Sequence, residues 1–410
     1  MGNNKNMSIE VKKTDLDFSE IHERMQWYVD QEIIPCCNTL VLQGTDVVDV
    51  KTYGPLDHET NRPLAEDSIF RMHSSTKIAT SIAAMTLFEE GKFKLDDPLE
   101  KYLPEFANMN VLKAGATSID EVEPCLGSMK INQILSHSAG LSYGFVEPDS
   151  VIDQAYNAKG INPMAPGSQM TLESLCKDLS ELPLAYQPGT FWRYSFATDV
   201  TARLVEVLSG QRFDDFLKER IFQPLNMVDT DFYVPVEKQD RFTTMYMPTN
   251  PLDPMASGYV KADDPYEGAN SKPTTFLSGG GGLMSTLSDY LSFVQMILNG
   301  GEWKGQRIIK SETLDLMRTN QLPAGVGVNF PFWEIPGTTF GLGFALKQQP
   351  AEGEPDSATG EYHWGGMAGT HLWMSPNSNL AGICMTQRMP GFWHPFSHDF
   401  KRLSYKIAGN

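Results

Sequence analysis

The chain has 410 residues, enough for a large core and one or two domains. Hydrophobic residues make up 41%, aromatics 10% and charged residues 20%, which excludes a disordered or fibrous chain. The formal net charge of −18 argues against nucleic acid and anionic membranes as partners, because such a surface repels both; a pocket can still differ from the average surface.

The first thirteen residues are polar and lack the apolar stretch of a secretory leader. Asn6 stands where a myristoylation pattern has Ser or Thr, and no run reaches the length of a membrane span. Cys36, Cys37, Cys125, Cys176 and Cys384 are odd in number and irregularly spaced, forming neither a disulfide framework nor a C-x-x-C site. The expectation is five free thiols in a reducing cytoplasm. Residues 1–18 read as an N-terminal extension. An amphipathic helix is predicted over 20–31, strands over 37–49 and 69–72, then a buried helix carrying Ile78, Ile82, Met85 and Leu87 and ending at Gly91. From Leu95 onward short helices, prolines and loops follow, with helices predicted over 199–208 and 213–222. After the glycine run at 279–282 a helix is predicted over 288–298. Apolar and polar residues alternate over 340–346 and 380–386, the period of an antiparallel sheet, before a last helix over 398–407. The organisation predicted is α/β (α+β): an α/β subdomain from 19–105 and 275–410, with a mostly helical subdomain, 106–274, inserted in it.

Ser74 and Lys77, in His73-Ser74-Ser75-Thr76-Lys77, are the most informative pair. Residues three apart share a helix face, so hydroxyl and amine come within reach. A serine needs a base to become a nucleophile, and a lysine serves only if burial or nearby charge lowers its pKa. S-x-x-K is the acylating motif of penicillin-recognising serine enzymes. The bland alternative is an N-cap serine and a solvated lysine. A second S-x-x-K, Ser174 to Lys177, lies among Glu173, Asp178 and Glu181 and reads as a surface helix.

Other motifs carry less. Gly140-Leu141-Ser142-Tyr143-Gly144 matches the G-x-S-x-G elbow, but that elbow needs a strand before it and a helix after it. Here a helical segment precedes and a loop follows. The run 279–282 lacks dinucleotide-binding spacing, and His58, His73, His137, His363 and His371 lack metal-ligand spacing. Tyr194, in Trp192-Arg193-Tyr194-Ser195-Phe196, is either a core aromatic or a proton relay whose phenol a nearby lysine would make more acidic. His363-Trp364-Gly365-Gly366-Met367 is either a bulged strand or a strand that brings an N–H to a developing oxyanion.

Taken in order, Ser74-x-x-Lys77, Tyr194-Ser195-Phe196 and Trp364-Gly365-Gly366 resemble the serine β-lactamase-like hydrolases, most closely the family VIII carboxylesterases, which are similar to class C β-lactamases and penicillin-binding proteins. Residues 134–141, 188–190, 222–227 and 281–286 resemble the family's connecting segments, so the likeness spans about 20–400. It implies a β-lactamase/transpeptidase-like fold with an antiparallel sheet flanked by helices. It also implies acyl transfer: Ser74 as nucleophile, Lys77 and Tyr194 as base and proton relay, and the Ser74 and Met367 N–H groups as oxyanion hole. Substrate contacts would come from Trp364, Gly365, Gly366, Phe196 and Tyr143, with no metal or organic cofactor. The family's G-x-S-x-G can be non-catalytic.

Two departures from the family pattern matter. Phe196 replaces the Asn of the tyrosine motif, and Trp364 replaces the Lys of K-T-G. Losing an amide and a cation favours neutral esters over anionic β-lactams. The leading expectation is therefore hydrolysis of short-chain or aryl carboxylic esters, the partner being a small-molecule ester. The alternatives are an acyltransferase of secondary metabolism, a β-lactamase or D-aminopeptidase-type amidase, and a non-catalytic acyl-ligand binder. His73, just before the nucleophile, has no role in this scheme.

Overall fold

The alternation of apolar residues in 37–43 gives a strand with two buried faces. Cys37 and Val41 point one way, Leu40 and Leu42 the other. The structure is a computed structural model that describes residues 8–163, 165, 168–331 and 333–409. The first seven residues of the expected N-terminal extension lie outside the described residues. The remainder runs beside the sheet, with the Lys12 N–H donating to Val47 O at 2.8 Å.

Seven antiparallel strands form the main sheet. In chain order the first two are β1 (Cys37–Gln43) and β2 (Asp46–Tyr53), and a short strand outside the sheet, β3 (Ile69–Arg71), pairs with β4 (Met284–Thr286). The C-terminal part supplies β5 (Thr338–Phe340), β6 (Ala345–Lys347), β7 (Tyr362–Gly365), β8 (Thr370–Ser375) and β9 (Leu380–Met385). The sheet order is β5-β6-β7-β8-β9-β1-β2, so the first strand of the chain pairs with the last, Asn38 opposite Met385 and Gln43 opposite Leu380. The alternation over 340–346 is not one strand: residues 341–344 turn, and β5 and β6 form a hairpin. Gly343 (φ +96°) drives that turn into the core, where a Cβ would lie 2.3 Å from Ser81 Oγ.

Helix α1 (Ser19–Asp30) buries Ile21, Met25, Tyr28 and Val29 on one face of the sheet. Other helices are α2 (Thr76–Glu89), α3 (Ile131–Leu135), α4 (Val151–Ala158), α5 (Leu172–Ser180), α6 (Ala197–Ser209), α7 (Phe213–Leu217), α8 (Leu287–Leu298), α9 (Ser311–Met317) and α10 (Pro395–Ile407). The stretch predicted helical over 213–222 begins as α7 and continues as a π turn, Lys218–Phe222. Helix α10 joins α1, and Asp399 ties them by accepting from Arg24 Nε and Tyr28 OH, both at 2.7 Å. The other face of the sheet packs on α2, whose residues Thr76 to Leu87 are all buried. A helix buried on every side must carry apolar or satisfied polar residues all round. One hydrophobic core runs from this sheet face through α2 into α3, α5 and α6. Among the described residues no helix is long and apolar enough to cross a membrane, and all five cysteines are free.

The sheet is locked to α10 by a buried ionic cluster. Lys401 Nζ lies 2.8 Å from Glu354 and 2.9 Å from Glu361, Lys347 pairs with both carboxylates, and Tyr405 OH donates to Glu361 at 2.8 Å. Burial alone would raise the Glu361 pKa, but the charges of Lys401 and Lys347 hold it below the usual range. A depressed carboxylate contributes stability above its unfolded pKa of about 4.3, and that stability is lost as pH falls through the folded value. Glu361→Ala, which leaves two buried lysines with one anion, is expected to cost about 3–5 kcal/mol. Urea unfolding at pH 7 measures this; a loss under about 1 kcal/mol would show that the cluster relaxes or hydrates instead.

Candidate active site

Ser74 sits in a single 3₁₀ turn, His73–Ser75, between β3 and α2. Both flanks are anchored. The Met72 N–H donates to Leu283 O at 2.9 Å, and Thr370 Oγ1 donates to Met72 O at 2.8 Å. Ser75 Oγ donates to Thr370 O at 2.8 Å, and Tyr290 OH to Ser75 O at 3.0 Å. His73 has φ +44°, a left-handed conformation disfavoured by its Cβ and held here by these anchors. Its ring is neutral at physiological pH, because burial and the charges of Arg71 and Lys77 push its pKa down to about 4. Ser74 is not an N-cap: Ser75 holds that position before α2, and neither makes a capping side-chain bond.

Lys77, the second residue of α2, is 2% exposed. Its amine donates to Ser74 Oγ at 3.2 Å, Tyr143 OH at 2.8 Å and Gly280 O at 2.5 Å. Burial lowers its pKa to about 7, against the opposing pull of Asp199. An amine titrating near neutrality, within reach of a serine hydroxyl, can take that hydroxyl's proton. Asp199 accepts from Ser278 Oγ at 2.7 Å and from the Gly280 N–H at 3.0 Å, which fixes the carbonyl that Lys77 meets. A Cβ at Gly280 would lie 2.6 Å from Asp199 Oδ2 and 2.7 Å from Tyr143 OH, so only glycine fits. Asp199 and Gly280 were not singled out from the sequence. The available signal was an acid in the first turn of the helix that starts just after the tyrosine motif.

Tyr194 lies against the same amine but differently. Lys77 Nζ stands 4.6 Å over the centre of its ring, and its hydroxyl accepts from Trp364 Nε1 at 3.2 Å. The expected acidification is not seen. Burial raises the Tyr194 pKa, only partly offset by hydrogen bonds with Ser74 and Trp364, so the phenol keeps its proton.

The motif 363–367 ends β7 beside the Ser74 turn. A Cβ at Gly366 would lie 2.3 Å from Met72 O, and one at Gly365 2.2 Å from His371 Nδ1. Gly366 lets the end of β7 approach the 72–75 backbone, and Gly365 leaves room for the His371 ring. Met367 follows, and its N–H has no hydrogen-bond partner among the described residues.

Ser74, Tyr194 and Met367 line one cavity of about 180 Å³, with Phe145, Val146, Phe330 and Phe392 among its other walls. Tyr143 stands behind Phe145, the rings stacked at 5.0 Å. Trp364 (1% exposed) and Phe196 (6%) lie a layer deeper, Phe196 packing on Tyr143 at 4.6 Å. Gly365 and Gly366 are buried behind the lining too. A larger surface cleft of about 650 Å³, around Phe232 and Thr274, contains neither Ser74 nor Lys77.

The two decoy serines have structural places. Ser142 is fully buried; it donates to Asp153 and accepts from Arg193 Nε at 2.8 Å. No strand precedes it. Ser174 forms a capping box with Thr171, accepting the Thr171 N–H at 2.9 Å while Thr171 Oγ1 accepts the Ser174 N–H at 3.1 Å, and Lys177 is exposed.

Known proteins similar to this chain point to one family and one fold. Protein Rv1367c of Mycobacterium tuberculosis H37Rv is 33% identical over 359 residues, covering 86% of this chain and 85% of the relative. Esterase EstB of Burkholderia gladioli is 28% identical over 381 residues, covering 89% and 90%. Among solved structures, EstCE1 superposes with a TM-score of 0.80 at 24% identity, covering 94% of this chain and 98% of its own. The Beta-lactamase family model matches residues 21–404, nearly the whole chain, and with the mixed α/β architecture of its structural neighbours it makes this protein a member of the beta-lactamase family.

Proposed function

We propose that the protein is a carboxylic ester hydrolase of the family VIII type, working through an acyl-enzyme on Ser74. One observation carries this reading: a buried lysine amine, its pKa brought to about 7, lies 3.2 Å from the Ser74 hydroxyl. Lys77 in its neutral form takes the Ser74 proton as Oγ attacks the ester carbonyl. The oxyanion forms toward the N–H groups of Ser74 and Met367. Tyr194, still protonated, gives its proton to the departing alkoxide, and the proton held by Lys77 restores the phenol. The net transfer is one proton from Ser74 to the alcohol. Water then enters and gives a proton to the same pair as it attacks the acyl carbonyl; the Ser74 Oγ–acyl bond breaks, the acid leaves, and that proton returns to Ser74 Oγ. The likeness to Esterase EstB supports an ester substrate.

The walls support the substrate class. No lysine or arginine is among the described residues lining the cavity, and its rings and aliphatic groups suit a neutral ester. Transfer of the acyl group to an alcohol is the second reading. EstCE1 is described as a hydrolase with promiscuous acyltransferase activity, and an apolar cavity beside Tyr194 can hold an alcohol as well as release one. We place the enzyme in the cytoplasm on the strength of its five free cysteines, four of them buried.

With p-nitrophenyl butyrate, Ser74→Ala is expected to lose activity by at least about 10³-fold, while Ser174→Ala matches wild type. Nitrocefin run alongside should turn over far more slowly than the ester. Full ester activity in Ser74→Ala would remove Ser74 as the nucleophile. The pH profile of kcat/KM should rise through about pH 7 as Lys77 loses its proton, then level off; a flat profile between pH 6 and 8 contradicts a lysine base.

Burying Lys77 also carries a stability cost. The unfolded chain keeps this proton to about pH 10.4, whereas the folded protein releases it near 7, so stability rises with pH between the two values. Lys77→Met is therefore expected to abolish catalysis yet stabilise the fold at pH 7 by about 1–2 kcal/mol in thermal unfolding. A destabilised variant would mean that the three hydrogen bonds of the amine outweigh its desolvation.

A further inference from the structure

The mouth of the Ser74 cavity is shaped by Phe145 and Val146, two loop residues that the chemistry above does not use. Their loop, 142–150, joins the segment after α3 to α4, and two of its hydrogen bonds bracket residues 145 and 146. Asn157 Nδ2 donates to Gly144 O at 2.8 Å, and the Glu147 N–H donates to Asp153 Oδ2 at 2.8 Å. Gly144 takes φ +84° against the Asn157 side chain, which turns the chain sharply at this point. Phe145 and Val146 stand between the two anchors and reach the cavity. Phe145 is 51% exposed although it walls that cavity, and its ring rests on Tyr143 at an interplanar angle of 22°. It is a wall standing in solvent, whereas Tyr194 is set in the core.

The reacting groups fix which part of an ester reaches this wall. The carbonyl oxygen goes to the N–H groups of Ser74 and Met367. The departing oxygen must come to the Tyr194 hydroxyl, the group that protonates it. The substituent on that oxygen then lies along the wall that contains Tyr194, with Phe330 5.5 Å from Tyr194 and Phe392 5.7 Å from Phe330. The volume is small. An apolar cavity of about 150 Å³ admits benzene, and this one is about 180 Å³. Its volume matches a phenyl ring or a short alkyl chain, and a second fused ring would have to extend past Phe145. Aromatic walls around a planar group add edge-to-face contacts beyond simple burial.

We infer that Phe145 is the size-determining residue of the site, closing a subsite for the alcohol portion of the ester that takes one ring-sized or short apolar group. The inference rests on the esterase reading above and deepens it by assigning the cavity to the leaving alcohol instead of the acyl chain. The same subsite would hold an acceptor alcohol when acyl transfer runs in place of hydrolysis.

The test is to vary the two halves of the ester independently. One series comprises methyl, butyl, phenyl and 2-naphthyl acetate; the other comprises vinyl acetate, butyrate, benzoate and 2-naphthoate. Both are followed by titration of the released acid, in wild type, Phe145→Leu and Phe145→Ala. Wild type should drop by roughly 10-fold or more in kcat/KM from phenyl to 2-naphthyl acetate. Phe145→Ala should remove that drop, Phe145→Leu should reduce it, and the vinyl series should keep one profile in all three proteins. An unmoved limb near pH 7 would show that Lys77 is undisturbed behind Tyr143. Relaxation confined to the vinyl series would assign the cavity to the acyl group and overturn the inference. So would unchanged profiles in both series while a fluorophosphonate still labels Ser74; either result leaves the esterase reading standing. Absence of both hydrolysis and labelling in wild type would overturn the two together.

Discussion

The Lys77 amine is held out of water, and the rest of the site is arranged around that constraint. An ammonium with no solvent loses most of its hydration, so the neutral form gains and the group becomes a base near neutrality. The dry setting exists because α2 is buried on every face, between the sheet and α6. The amine still needs partners, and it has Ser74 Oγ, Tyr143 OH and Gly280 O. Asp199 acts one step removed: it fixes the Gly280 loop, and its charge keeps the lysine from falling further in pKa. Too little burial would leave a permanent cation; an apolar cage without acceptors would leave the amine unsatisfied. The arrangement lies between these limits.

Much of this was legible from spacing. Ser74 and Lys77 had to share a helix face, and the apolar run behind them had to be buried, because i, i+3 geometry and hydrophobic periodicity are local properties. The glycines at 365 and 366 were readable as a place of close approach, although not which backbone approaches. The environment of Tyr194 was less legible. Proximity to a lysine suggested an acidified phenol, but burial dominates, and that depends on residues far away in sequence. Asp199 and Gly280 were hidden for the same reason: 81 residues separate them, and nothing in either segment alone points to the other. The hairpin at 341–344 was missed because alternation continues through it; the turn is held by backbone hydrogen bonds to the distant residues Met317 and Leu135.

The two positions where this chain departs from the β-lactam-binding pattern act together with the base. Trp364 donates to the Tyr194 hydroxyl, and Phe196 packs behind Tyr143, so each aromatic supports one of the two tyrosines that flank Lys77. A charged or amide side chain in either place would bring hydration toward the amine. An apolar cavity and a lysine amine titrating near neutrality thus share one physical requirement, which is exclusion of water.

The pairing of β1 with β9 has a consequence for how the protein is made. Residues 37–43 leave the ribosome more than three hundred residues ahead of their partner at 380–385. Until then one edge of the β1–β2 hairpin stays unpaired, and unpaired edges are where nascent chains aggregate. Closing so long a loop adds entropy only slowly with length, but it delays completion of the sheet to the end of synthesis. Met367 and the glycines before it also arrive late, so the Ser74 turn gains its anchors from Thr370 only when the chain is almost complete. A ribosome-stalled or prematurely ended chain therefore has Ser74, Lys77 and Tyr194 in its sequence without the strand that completes the cavity around them.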